Sequence, residues 1–172
     1  MKKIFSLLVL FTALCNAQVK TKDVFDVARS GTVDEMKALV VKKRDTINAL
    51  NASSFSPLIL ACYRGNAPVA EYLAQNVKDI NYNSPSGTAL CAAAIKGNIA
   101  ITKVLLENKA NPDVKDGMGM TALLYASQFD NKEMIQLLLK YKADKKIVAD
   151  DGKSAMDYAV INKNQEIIGL LK

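Results

Sequence analysis

The sequence predicts an all-α solenoid of about five helix-turn-helix units, with degenerate units at both ends. Three observations predict it: a fixed repeat period, apolar residues at helical spacing within each period, and a hydroxyl residue at each start. Ser56-Pro57-Leu58, Thr88-Ala89-Leu90, Thr121-Ala122-Leu123 and Ser154-Ala155-Met156 open four copies, at steps of 32, 33 and 33 residues. A period of this size marks a stacked array, because one short helical hairpin cannot bury its own apolar face.

Each copy opens with a helix. Ser56, Thr88, Thr121 and Ser154 supply a hydroxyl to cap the free N–H groups of its first turn. Pro57 follows one of them, at the helical position where its missing N–H costs nothing. Three residues after the apolar Leu58, Leu90, Leu123 and Met156 comes an alanine: Ala61, Ala93, Ala126 and Ala159. A small residue recurring there predicts close approach of neighbouring helices. The helix then breaks at Gly65 and Gly97, and at Asp130 and Lys163 where glycine is absent. A second helix follows, with apolar faces Val69-Tyr72-Leu73, Ile101-Val104-Leu105, Met134-Leu137-Leu138 and Ile167-Leu170-Leu171.

A degenerate copy precedes these at Val24, Val27, Gly31, Met36 and Leu39. The units therefore fall at about 21–51, 52–83, 84–116, 117–149 and 150–172, within one domain of residues 18–172. Turn residues separate them: Ser84-Pro85-Ser86-Gly87, Asp116-Gly117-Met118-Gly119 and Asp150-Asp151-Gly152.

Thr88-Ala89-Leu90-Cys91-Ala92-Ala93, Gly97-Asn98, Val104-Leu105-Leu106 and Asn108-Lys109-Ala110-Asn111 resemble the ankyrin repeat, as do Thr121-Ala122-Leu123, Leu137-Leu138-Leu139 and Lys142-Ala143-Asp144. The resemblance covers residues 21–172. It implies recognition of a protein partner rather than a named activity. The chain departs from the family at two places. The family motif Thr-Pro-Leu-His has no counterpart histidine, since Ile59, Cys91, Leu124 and Asp157 stand there. Lys109 and Lys142 replace the glycine that follows the second helix, at a local cost in stability.

Residues 1–17 lie outside the repeats. Lys2 and Lys3 precede an apolar run from Ile4 to Leu14, then Cys15-Asn16-Ala17. This is the pattern of a secretory signal peptide, with cleavage expected after Ala17 to leave Gln18 first. A membrane anchor is the weaker alternative, since a span needs about 20 apolar residues. A lipoprotein acylated at Cys15 is the other, although Leu14 replaces the small residue usual before such a cysteine. The expected location is the periplasm or the exterior, with no membrane insertion after cleavage.

Composition excludes several classes. The chain carries a net charge of +6, which becomes +4 without residues 1–17 because Lys2 and Lys3 are lost and no acid with them. The basic residues are scattered, with small clusters at Lys42-Lys43-Arg44 and Lys145-Lys146. A nucleic-acid protein concentrates them on one face, so nucleic acid is not expected as a partner. The absence of histidine removes a His-assisted nucleophile and a His metal site. Asp116-Gly117-Met118-Gly119 lacks the lysine and the strand of a phosphate loop and reads as a turn tip. No catalytic, cofactor or metal residue is assigned. Cys62 and Cys91 fall on first helices at different repeat positions, which predicts two buried free thiols. Asn51-Ala52-Ser53 matches a glycosylation acceptor, which carries meaning only in a glycosylating secretory pathway.

The resemblance also implies a binding face. In the family the first helices and turn tips form a concave surface, with variable residues near the end of each first helix pointing into it. By alignment these are Arg29 and Ser30, Tyr63 and Arg64, Ile95 and Lys96, Gln128 and Phe129, and Ile161 and Asn162. Tyr63, Arg64, Ile95, Lys96, Gln128 and Phe129 are the candidate partner-binding set. Tyr63, Ile95 and Phe129 make an expected stripe of large exposed apolar side chains, flanked by the charges of Arg64 and Lys96; aromatic and arginine residues are those enriched at interface hot spots. Met118 and Met120 at a turn tip are weaker candidates. Three functions fit: an exported monomeric binding module, a periplasmic immunity or inhibitor protein that neutralises a toxin or enzyme, and a redox-protection accessory or enzyme, the last weakest.

Overall fold

The computed structural model describes residues 21–172, so the expectations for residues 1–17 lie outside the described residues. Among the described residues ten α-helices form five antiparallel pairs. The first-layer helices are α1 (Val24–Ser30), α3 (Pro57–Arg64), α5 (Ala89–Ile95), α7 (Ala122–Gln128) and α9 (Ala155–Ile161). The second-layer helices are α2 (Val33–Lys42), α4 (Ala67–Asn76), α6 (Ile99–Glu107), α8 (Lys132–Lys140) and α10 (Gln165–Leu171). A short 3-10 helix, Arg44–Asn48, follows α2. Each first-layer helix packs on the next one, each second-layer helix does the same, and no strand occurs among the described residues. The architecture is the all-α solenoid that the repeats predict.

The first layer is held by one column of alanines. Ala28, Ala61, Ala93, Ala126 and Ala159 are all 0% exposed, one per unit. Helices that approach at about 8 Å leave no room for a larger side chain between them. Leu58, Leu90 and Leu123 flank the column, and Leu73, Leu105 and Leu138 fill the space between the layers. All six are buried, so the core runs unbroken from unit to unit.

The same alanines anchor the turn between layers. In units two to five the carbonyls of Ala61, Ala93, Ala126 and Ala159 accept from the backbone N–H of Asn66, Asn98, Asn131 and Asn164. Those asparagines are the N-caps of α4, α6, α8 and α10. The turn needs one left-handed residue, and Gly65, Gly97, Asp130 and Lys163 all supply it, with φ of 74°, 64°, 58° and 57°. The turn therefore survives the loss of glycine at the last two sites. Unit one differs. Its caps, Asp23 and Thr32, are nine residues apart rather than ten, and Gly31 is extended. Thr32 and Glu35 close a reciprocal capping box there.

The asparagine side chains stitch units together. The Asn66 amide donates to the carbonyls of Val27, Ala28 and Gly31, capturing the end of α1. The Asn164 amide donates to the Asp130 carboxylate at 3.0 Å. A second ladder joins the loops after the second layer. Asn48, Asn81 and Asp113 accept through Oδ1 from the N–H groups of Lys78, Asn111 and Asp144, at 2.9, 2.7 and 2.8 Å. The turn tips form a third. Gly117 N–H donates to Pro85 O and Asp150 N–H to Met118 O.

The positions where family residues are missing have definite replacements. Ile59, Cys91 and Leu124 are buried and apolar where the family carries histidine. Asp157 is exposed and closes a capping box with Ser154 instead. Lys109 and Lys142 take the left-handed conformation, φ 68° and 64°. Around them Lys109 N–H bonds Leu106 O and Ala110 N–H bonds Leu105 O, and the same pair recurs at Lys142 and Ala143. This double bond pattern ends a helix with glycine by preference.

Two stability predictions follow from the columns. Ala93→Leu overpacks the first layer and should cost about 1–3 kcal/mol, and Leu105→Ala leaves a cavity and should cost about 2–5 kcal/mol; neutrality of either in urea unfolding would overturn the register. Lys109→Gly relieves a left-handed side chain and should raise stability by up to about 1 kcal/mol, read as a higher urea midpoint at unchanged slope.

Candidate functional site

The ends of the first-layer helices and the turn tips share one face, and the candidate residues lie along it. Tyr63 is 46% and Phe129 54% exposed; Arg64, Lys96 and Gln128 are exposed. Ile95 is not part of an exposed stripe. It is half-buried and packs against the core. Repeat register also divides the set. Tyr63, Ile95 and Gln128 stand two residues after their column alanine, whereas Arg64, Lys96 and Phe129 stand three after. In unit one the equivalents are Ser30 and Gly31, one residue on from the aligned Arg29 and Ser30. Arg29 is instead ion-paired to Asp26 at 3.2 Å.

Local contacts fix the two exposed aromatic rings. Lys96 Nζ sits 4.4 Å from the Tyr63 ring centroid, a cation–π contact between units two and three. Phe129 lies parallel to Tyr125, centroids 6.3 Å apart. Both rings are held in place before any partner arrives, which lowers the entropy cost of binding.

Two clefts open on this face. One, of about 460 Å³, lies between units four and five. Its floor is Tyr125, Tyr158 and Met120, its rim Met118, Gln128, Asp150 and Asp151. The other, of about 290 Å³, is lined by Phe55, Ile59, Leu60 and Tyr63, with Arg29 and Arg64 at its edge. Met120 is buried beneath the turn, and Met118 is 61% exposed at its tip. Spacing gave one usable signal for the larger cleft: Tyr125 and Tyr158 occupy the same repeat position, 33 residues apart, where Ala92 stands in unit three.

The floor of the larger cleft rests on a buried carboxylate. Asp116 Oδ1 accepts from the N–H groups of Met118 and Met120 at 2.8 and 2.9 Å. Its Oδ2 accepts the Tyr125 hydroxyl at 2.5 Å. Burial, and then this carboxylate, push the Tyr125 phenol above its ordinary range, so it stays a donor at neutral pH. Tyr158 Oη lies 3.7 Å from Met120 Sδ. Cys62 and Cys91 are buried and unpaired, and burial pushes both thiols up, away from the reactive thiolate. Among the described residues no cluster of His, Cys, Asp or Glu has the arrangement to hold a metal ion. No described helix is long and apolar enough to cross a membrane.

The sequence model of the family described as ankyrin repeats (3 copies) matches residues 24–116 and 90–172. The chain belongs to the ankyrin repeat family. Its relatives include "Protein fem-1 homolog A-like" of Mus musculus, 34% identical over 90 residues, covering 52% of this chain and 14% of that protein. "Ankyrin repeat and SAM domain-containing protein 6" of Rattus norvegicus is 32% identical over 102 residues, 58% of this chain and 12% of that protein. "Putative ankyrin repeat-containing protein" of Treponema pallidum (strain Nichols) is 30% identical over 100 residues, 57% of this chain and 34% of that protein. The similarity thus spans between about an eighth and a third of these relatives. Ankyrin repeats make this chain a protein–protein interaction module.

The contrast between rim and floor is testable. Tyr63→Ala, at an exposed ring, should change stability by less than about 1 kcal/mol. Tyr125→Phe strips a donor from the buried Asp116 carboxylate and should cost about 1–3 kcal/mol. Equal costs in thermal unfolding would contradict this placement.

Proposed function

We propose that the chain is an exported ankyrin module that holds one protein partner on the face formed by the first-layer helices and turn tips. The observation that carries the reading is the run of exposed, pre-positioned side chains along that face. Tyr63, held under Lys96, lines a cleft of about 290 Å³, and Phe129 is stacked on Tyr125, which lines a cleft of about 460 Å³. Large rigid aromatic groups beside a concavity are the usual anchors of a protein interface. The shape that limits catalysis favours binding: the face is open, and its thiols are sealed in the core. Export rests on residues 1–17, whose charged start, apolar run and Cys15-Asn16-Ala17 junction fit a cleaved signal. The module then works in the periplasm or outside the cell, as a monomer.

The test is crosslinked affinity capture from the exported fraction, using the chain and its Tyr63→Ala, Phe129→Ala variant, with folding of the variant checked by circular dichroism. The expected result is a partner captured by the first, lost by the variant, and bound by the purified chain with at least ten-fold weaker affinity for the variant. Equal binding by both moves the site off this face. Mass spectrometry of the exported chain should show Gln18 at its start. An intact Met1 would refute export by this signal, and an acylated Cys15 would make the chain a lipoprotein.

A further inference from the structure

The two clefts of the binding face are the same site in different units, and they carry opposite charge. Phe55, Leu60 and Tyr63 of the smaller cleft stand at the repeat positions of Met120, Tyr125 and Gln128 of the larger one. The matched residues lie two repeats apart, in units two and four, so both clefts open on the same face, and their charged edges run from Arg64 of unit two to Asp150 of unit five. Both clefts are apolar, but their edges differ. At the first cleft the edge is Arg29 and Arg64, with Lys96 next along the face. Arg29 is paired to Asp26, which leaves Arg64 and Lys96 without an acidic partner among the described residues. At the second cleft the edge is Asp150 and Asp151 above the buried Asp116. Lys153 pairs with Asp151, and Asp150 and Asp116 have no ion pair among the described residues. The first end thus keeps Arg64 and Lys96 unpaired over units two and three, and the second keeps Asp150 exposed and unpaired above the buried Asp116, on a chain whose overall charge is +6.

We propose that this face recognises an extended, charge-bipolar segment of its protein partner. Acidic side chains of the segment sit over Arg64 and Lys96, and an arginine or lysine side chain sits over Asp150. The proposal rests on the reading of this face as the binding face and names the chemistry of what it binds. The spacing follows from the fold. Adjacent packed helices lie about 8–10 Å apart, so the three steps from Arg64 to Asp150 span about 25–30 Å, which about eight extended residues cover. The apolar floors take the uncharged side chains of the segment, and the charges set its direction on the solenoid. Such complementary charge steers encounter and suppresses wrong partners more than it adds affinity.

The experiment measures binding of labelled twelve-residue peptides to the chain by fluorescence anisotropy. One peptide places two aspartates and two arginines at opposite ends of an eight-residue Leu- and Tyr-containing spacer, and is made in both orders. The control has the same composition with the charges interleaved. In the better order the bipolar peptide should bind about ten-fold more tightly than the control at low salt, and the difference should shrink at high salt. Arg64→Ala/Lys96→Ala and Asp150→Asn should each erase about five-fold of it. Asp150→Lys should turn the preference toward a peptide with aspartates at both ends. Equal binding of bipolar and interleaved peptides, or indifference to both sets of substitutions, overturns the proposal. Its failure is separable from failure of the underlying reading through the captured partner. If capture is lost with the Tyr63 and Phe129 substitutions but unchanged with both sets of charge substitutions, the face binds and the bipolar reading falls. If capture is unchanged with all three sets, both fall.

Discussion

The structure depends on the close approach of the first-layer helices at one alanine per unit. Every other periodic feature is built around that contact. The alanine side chain lets the helices touch, and in units two to five its carbonyl closes the turn that starts the second layer. The asparagine that donates to it also caps the next helix or reaches back to the preceding unit. Stability is therefore distributed along the array, with each unit secured by its neighbours rather than by a central core. A fault in one column propagates only to the units beside it.

That arrangement separates what must stay fixed from what is free to vary. The alanine column, the leucines that flank it and the asparagine caps are committed to stacking. The residues two and three positions after the alanine emerge on the open face and carry no stacking duty, except for Ile95, which packs on the core, and Asn162, whose amide donates to the Ser127 and Gln128 carbonyls of the preceding unit. Tyr63, Arg64, Lys96, Gln128 and Phe129 are such residues, and their variety across the units is what a recognition surface requires. The turn tips follow the same logic. Their backbones are tied together by hydrogen bonds, as between Asp150 and Met118, while Met118 and the Asp150 carboxylate project outward.

The helix pairs and the alanine column were legible in the sequence because both recur at a fixed period. The asparagine ladder was only partly so. Asn98 was visible as part of a Gly-Asn pair, but its equivalence to Asn66, Asn131 and Asn164 emerges only when the turn geometry is seen. Asp130 and Lys163 read as lost glycines, yet the backbone keeps the left-handed turn there, since the hydrogen bonds to Ser127 and Val160 and to the column alanines impose it. Lys109 and Lys142 were legible as left-handed sites because the family pattern places glycine there. Ile95 read as exposed from its repeat position, yet it packs against the core, and repeat position alone does not report that contact. The larger cleft was hidden for a related reason. Tyr125 and Tyr158 sit where Val27, Leu60 and Ala92 read as core, and only the three-dimensional packing turns two core positions into the floor of an opening.

The central claim is that the first-layer face, and not the second layer, meets the partner. Hydrogen–deuterium exchange of the chain with and without its captured partner tests it most directly. The account predicts new protection at the ends of α3, α5 and α7 and in the turns at 116–120 and 149–153, with α4, α6 and α8 unchanged. Protection confined to α4, α6 and α8 would contradict it.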